Sequence, residues 1–185
     1  MDNESELLRE LYARFGLAYY ESEVLHRNLC NIYALGTFDA PESITRPRME
    51  EKLTYAFSLT LGRVINETKS IFPPEIQEEL DLALTKRNYL AHHFWFEKNY
   101  LMFSQEGIVQ LQEELTSYVN YFDELDKSIL IFFRPTREKF GVSDEIINAV
   151  HEELLLGEPD EPLMSKRPPN KQERIINVWD VEIIE

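Results

Sequence analysis

This sequence is poor in the residues that turn chains sharply and in those that staple them. Six glycines in 185 residues, set against long apolar-periodic runs, argue for helices rather than a sandwich or barrel. Cys30 is the sole cysteine, so no disulfide forms within these residues, and its place in an apolar-periodic run makes it a small core residue. The longest apolar run, Ile129 to Phe133, is far too short to span a bilayer. The opening residues, Met1 to Glu6, are acidic and carry no apolar signal region, so the expectation is a cytoplasmic protein with no membrane partner.

Positive charge is also scarce. Nineteen Lys and Arg face 34 Asp and Glu, a formal charge of −15, which argues against a general nucleic-acid binder and leaves room only for a local basic site. There is no Gly-rich phosphate loop, no His-Glu-x-x-His pair, no zinc-spaced Cys/His cluster and no serine elbow. His92 and His93 are adjacent and point about 100° apart on a helix, a poor chelating pair. His26 and His151 are isolated and read as surface or boundary residues. No metal or cofactor is expected.

What is present is apolar periodicity. The 43% hydrophobic content fits a packed core, and Leu8, Leu11, Phe15, Ala18, Leu25, Leu29 and Ile32 recur at helical steps over residues 4–35. On the other face, Glu10, Arg14, Glu21 and Asn28 read as mostly solvated, and Gly36 as a C-cap. A second helix is predicted from Arg48 to Lys69, burying Met49, Leu53, Ala56, Thr60 and Val64. A third starts at Pro74 and runs to about Tyr100. A fourth, Glu106 to Phe133, turns Ile108, Leu111, Leu115, Tyr118, Phe122, Leu125, Ile129 and Phe132 inward, and Pro135 ends it. Ser143 is a predicted N-cap for a short helix to about Leu156. The expected architecture is an all-α bundle of four long helices and a short one over 1–157. An extended tail over 158–185 is rich in proline and charge and ends in an apolar segment.

The chemistry concentrates in Lys86-Arg87-Asn88-Tyr89-Leu90-Ala91-His92-His93-Phe94-Trp95. Histidine exchanges a proton near neutral pH, and arginine offers a planar fork of donors to phosphate. One acid–base group and one phosphate clamp suffice to cleave RNA, because the ribose 2′-OH is the nucleophile. On a helix, Arg87 and His92 lie about 7.5 Å apart along the axis and about 140° apart around it. Arg87 also falls within the apolar stripe of Ile76, Leu80, Ala83, Leu90 and Phe94. It must therefore meet a carboxylate, with Glu21 or Glu23 available, or else a cleft or a dimer groove. In the purely structural reading Arg87 pairs with such a glutamate and the histidines are ordinary surface residues.

Arg87-Asn88-x-x-x-His92 resembles the motif of HEPN domains, helical modules carrying Arg, a polar residue and then His. The resemblance implies a metal-independent endoribonuclease of toxin or defence type. Arg87 would clamp the phosphate, Asn88 orient it and His92 act as acid or base, with His93 the alternative at a five-residue spacing. It also implies a homodimer that joins two motifs, with RNA as substrate and an antitoxin or other protein as partner. In toxins of this family paired with a nucleotidyltransferase, a tyrosine often stands where this chain has Phe94. Lys86, His93, Trp95, Arg134 and Arg137 are further candidate RNA contacts, the last two in a cation cluster, Arg134 to Lys139, expected on a loop. The alternative function is a non-catalytic helical interaction module with an acidic face and an apolar tail.

Overall fold

The structure, a computed structural model, describes residues 3–148. Among them every regular element is helical and no strand forms. In chain order the helices are α1 (Asn3–Gly36), α2 (Arg46–Phe57), α3 (Leu61–Thr68), α4 (Pro74–His92), α5 (Phe94–Lys98) and α6 (Gln105–Lys139). Short 3₁₀ turns stand at Pro41–Ser43, Lys69–Ile71 and Asn99–Phe103. This body ends at Val142, and Ser143 opens a second unit. Residues 144–148 of that unit are helical, with the Ile146 N–H 3.5 Å from Ser143 Oγ, as the predicted N-cap requires. The expected boundary at 157, His151 and the tail 158–185 lie outside the described residues.

Two long helices frame the body, and they run parallel. Gln112 Nε2 donates to the Leu7 carbonyl at 2.9 Å, Arg14 bonds Thr116, and Asn28 Nδ2 donates to Asp126 at 3.0 Å, so both chains advance together. The α1 stripe buries Leu11, Ala18, Leu25, Leu29 and Ile32, and α6 answers with Ile108, Leu111, Leu115, Phe122, Leu125 and Ile129. Each of these leucine, isoleucine and phenylalanine side chains contributes about 1.5–3 kcal/mol when fully buried. Antiparallel to this pair runs α4, tied to α6 by Tyr121 Oη donating to the Glu79 carbonyl at 2.7 Å and by Lys86 over the Tyr118 ring.

Several expectations about the helices are corrected. The second predicted helix is two, because the chain breaks over Ser58–Thr60. Leu59 and Leu61, about 200° apart on a continuous helix, are both buried only because of that break, and Thr60, expected inward, is exposed. Helix three stops at His92 and does not reach Tyr100; His93, at φ −124° and ψ −31°, leaves the helical region. Pro135 does not end the last helix, which runs on to Lys139, so Arg134 and Arg137 are helical and not on a loop. Pro135 and Ile131, one turn before it, are both exposed, so water can take the carbonyl that proline leaves unbonded. Phe133 rather than Phe132 faces inward, and Asn28 is committed to the buried Asp126 instead of solvent.

A guanidinium cluster between two helices

Helix α4 opens on Pro74 at its first position with Glu75 in the first turn, where a missing N–H is harmless and negative charge meets the positive dipole end. Its buried stripe is Leu80, Ala83, Leu90 and, beyond the break, Phe94. Arg87 occupies the turn between Ala83 and Leu90, so its side chain is carried against α1 with 24% exposure. There the guanidinium lies over the Tyr19 ring at 5.7 Å. Nη2 stands 3.4 Å from Glu23 Oε1 and 3.5 Å from Tyr19 Oη, and Nη1 is 3.4 Å from Asn88 Oδ1.

All three contacts sit at the outer limit of hydrogen bonding. Buried Nε has no hydrogen-bond partner among the described residues. An unmet buried donor costs about 1–3 kcal/mol, so this guanidinium is loosely satisfied for a group so placed. Glu23 is the carboxylate that serves it. Glu21, two residues away and therefore on the far side of α1, instead faces Asp123 and Asp126. Burial, then those two carboxylates, raise its pKa.

Sequence reasoning missed a member of this cluster. His26 Nδ1 lies 3.8 Å from Glu23 Oε2, so one carboxylate stands between an imidazole and a guanidinium. Burial pushes the His26 pKa down, and the Arg87 charge adds to that, against opposing pulls from Glu23 and the Leu59 backbone. The signal was present in the sequence: Tyr19, Glu23 and His26 are spaced i, i+4, i+7, one stripe of a helix.

The other candidate residues are dispersed. His92, the last residue of α4, and Asn88 are both exposed, and His92 has its ring 6.4 Å from that of His93. His93 stacks on Tyr89 and has Nδ1 3.8 Å from Glu97. Trp95 packs on Phe15 at 4.9 Å and Tyr12 at 5.5 Å, and Lys86 lies over the Tyr118 and Tyr121 rings. Arg134 and Arg137 belong to the end of α6 beside Gly36, about 20 Å along the bundle from Glu23. Within one chain, then, Arg87, Asn88 and Glu23 come together, while His92 stands round the helix from them.

Fold and cluster together define an all-α protein with an incompletely satisfied arginine between two helices. No family model matches the sequence, and neither a curated protein nor a solved structure matches it. Among the described residues, no helix is long and apolar enough to cross a membrane.

Proposed function

We propose that the protein is a metal-independent endoribonuclease of the HEPN toxin or defence type. The observation that carries this reading is the Arg87 guanidinium, held at 3.4–3.5 Å by its neighbours with Nε unbonded. A phosphate offers that fork shorter, charge-assisted bonds than Glu23 and Tyr19 supply. His92 removes the proton from the ribose 2′-OH or returns one to the leaving 5′-oxygen. The 2′-oxygen attacks the adjacent phosphorus, the bond to the 5′-oxygen breaks, and the product ends in a 2′,3′-cyclic phosphate. Arg87 stabilises the charge developing on the phosphoryl oxygens, and Asn88 orients the phosphate.

One chain does not bring His92 round to Arg87, so the reading includes a two-fold pair in which each motif completes the other. Phe96 and Phe103, which follow His92, are 84% and 89% exposed, the kind of apolar surface that a second copy covers.

A second reading rests on a specific observation too. The Arg87–Glu23 pair over Tyr19 gives the arginine a structural task, as a non-catalytic helical interaction module would need. RNA cleavage in EDTA separates the two. Wild type should cleave, His92→Ala should lose at least a hundredfold, in line with acid–base contributions of about 10²–10⁴, and His93→Ala should keep most activity. Equal cleavage by wild type and His92→Ala, or none by either, leaves the interaction module.

A further inference from the structure

A second constellation lies further along α1. Arg48, Glu51, Lys52 and Tyr55 stand at i, i+3, i+4 and i+7, one stripe of α2. With Tyr33 of α1 they line an open surface cleft of about 390 Å³. The Tyr33 and Tyr55 rings meet at 5.7 Å, and Tyr55 is left 46% exposed.

The two cations are positioned by neutral groups, with the Glu51 carboxylate on the same cleft wall. Arg48 Nη1 donates to the Ser43 carbonyl at 2.8 Å, and Lys52 Nζ to Thr37 Oγ1 at 2.6 Å. Both heads also lie over the Phe38 ring, at 5.4 and 4.8 Å. Among the described residues neither is ion-paired, while the neighbouring Glu50 is taken by Arg46 at 2.8 Å. On a chain of net charge −15, two cations fixed on neutral oxygens and an aromatic face are a local exception. Such a site suits an anion carrying a flat ring, and Glu51 at its wall suits a hydroxyl donor.

We infer that this cleft is a nucleotide subsite for single-stranded RNA, separate from the Arg87 cluster. A base stacks on Tyr55, a phosphate meets Arg48 and Lys52, and Glu51 accepts from a ribose hydroxyl. The inference rests on the ribonuclease reading for its choice of RNA. Tyr33 lies on the α1 stripe that carries Tyr19, Glu23 and His26, ten residues and therefore about 15 Å beyond Glu23. A strand held in the cleft thus has a second anchor on the helix that bears the Arg87 cluster.

The test is calorimetric titration of the full chain with a short 2′-O-methyl RNA whose 3′-terminal nucleotide alone keeps its hydroxyls, so that it presents a ribose hydroxyl to Glu51 but has no 2′-OH beside a phosphate to react. Tyr55→Ala and Lys52→Glu should each weaken binding roughly tenfold, the range of one stacked base. Tyr55→Phe and Lys52→Arg should retain it. Lys52→Ala should reduce the slope of log affinity against log salt by about 0.7, one lost phosphate contact, an effect that a packing role would not produce. No binding by wild type at millimolar RNA, or undiminished binding by both Tyr55→Ala and Lys52→Glu, overturns the subsite. Cleavage with unchanged binding in those variants removes the subsite and spares the nuclease. Binding through the cleft without cleavage does the reverse.

Discussion

At the scale of the residue, Arg87 and Cys30 show how burial assigns roles. Cys30 is buried, its Sγ 3.4 Å from the Ala56 carbonyl, and desolvation pushes its thiol pKa up to about 11, so it is a packing residue with almost no thiolate at neutral pH. Arg87 is the contrary case, a cation on an otherwise apolar stripe with incomplete bonding. Removing one member of an ion pair is costly when the other charge stays buried, but Glu23 is 42% exposed and also faces His26, so water takes over its solvation. Arg87→Met should therefore lie within about 1 kcal/mol of wild type in stability, while abolishing RNA cleavage. A loss of several kcal/mol in urea unfolding would instead make Arg87 a structural tie and weaken the catalytic assignment.

At the scale of the element, helix starts and breaks carry more than helix interiors. Helix α6 begins at Ser104, whose Oγ accepts from the Gly107 N–H at 3.0 Å. Gly107 is buried, and a Cβ there would run into the Leu101 carbonyl of the preceding 3₁₀ turn. Helix propensity alone favours Ala over Gly by about 1 kcal/mol. Gly107→Ala should nevertheless destabilise by about 1–3 kcal/mol, the usual cost of overpacking. Chemical denaturation gives the sign directly, and stabilisation would mean that the turn moves freely.

At the scale of the whole molecule, protonation and assembly are the relevant variables. His26 has a folded pKa below its unfolded value, so it contributes stability that is present above about pH 6.5 and is lost as pH falls below that through the lower folded pKa. Asp126 acts in the opposite sense. Burial first, opposed by Asn28, raises its pKa, so the folded state takes up a proton earlier than the unfolded chain and gains stability as pH falls toward 3.8. Unfolding free energy should decline from pH 7.5 to 5.5 at no more than about 1.4 kcal/mol per unit for one proton. His26→Asn should flatten that decline, and an unchanged slope would move its origin elsewhere. Assembly is read by sedimentation at micromolar concentration. The composite site expects twice the 21.9 kDa chain mass, and a species at the single mass would remove it.

The sequence by itself determined the helical class, most of the buried stripes and the conflict at Arg87, because each follows from a period of 3.6 within one segment. Leu80, Ala83, Leu90 and Phe94 could be aligned, and an arginine in their midst required a partner, without knowing any other helix. Tertiary structure alone decided which carboxylate answered. Glu21 and Glu23 are equivalent in composition, and only the packing of α1 between α4 and α6 sends one to Arg87 and the other to Asp123. It also placed His26 beside Glu23, ended α4 at His93, and broke the chain at Ser58–Thr60, where Leu59 and Leu61 needed burial in directions that one straight helix does not offer. The cleft of Tyr33, Arg48, Lys52 and Tyr55 belongs to both levels. Its α2 stripe is written in the spacing, but the cations face a tyrosine of α1 only because the loop through Phe38 folds the two helices together. Local periodicity is a property of neighbours in sequence, and a site is a property of neighbours in space.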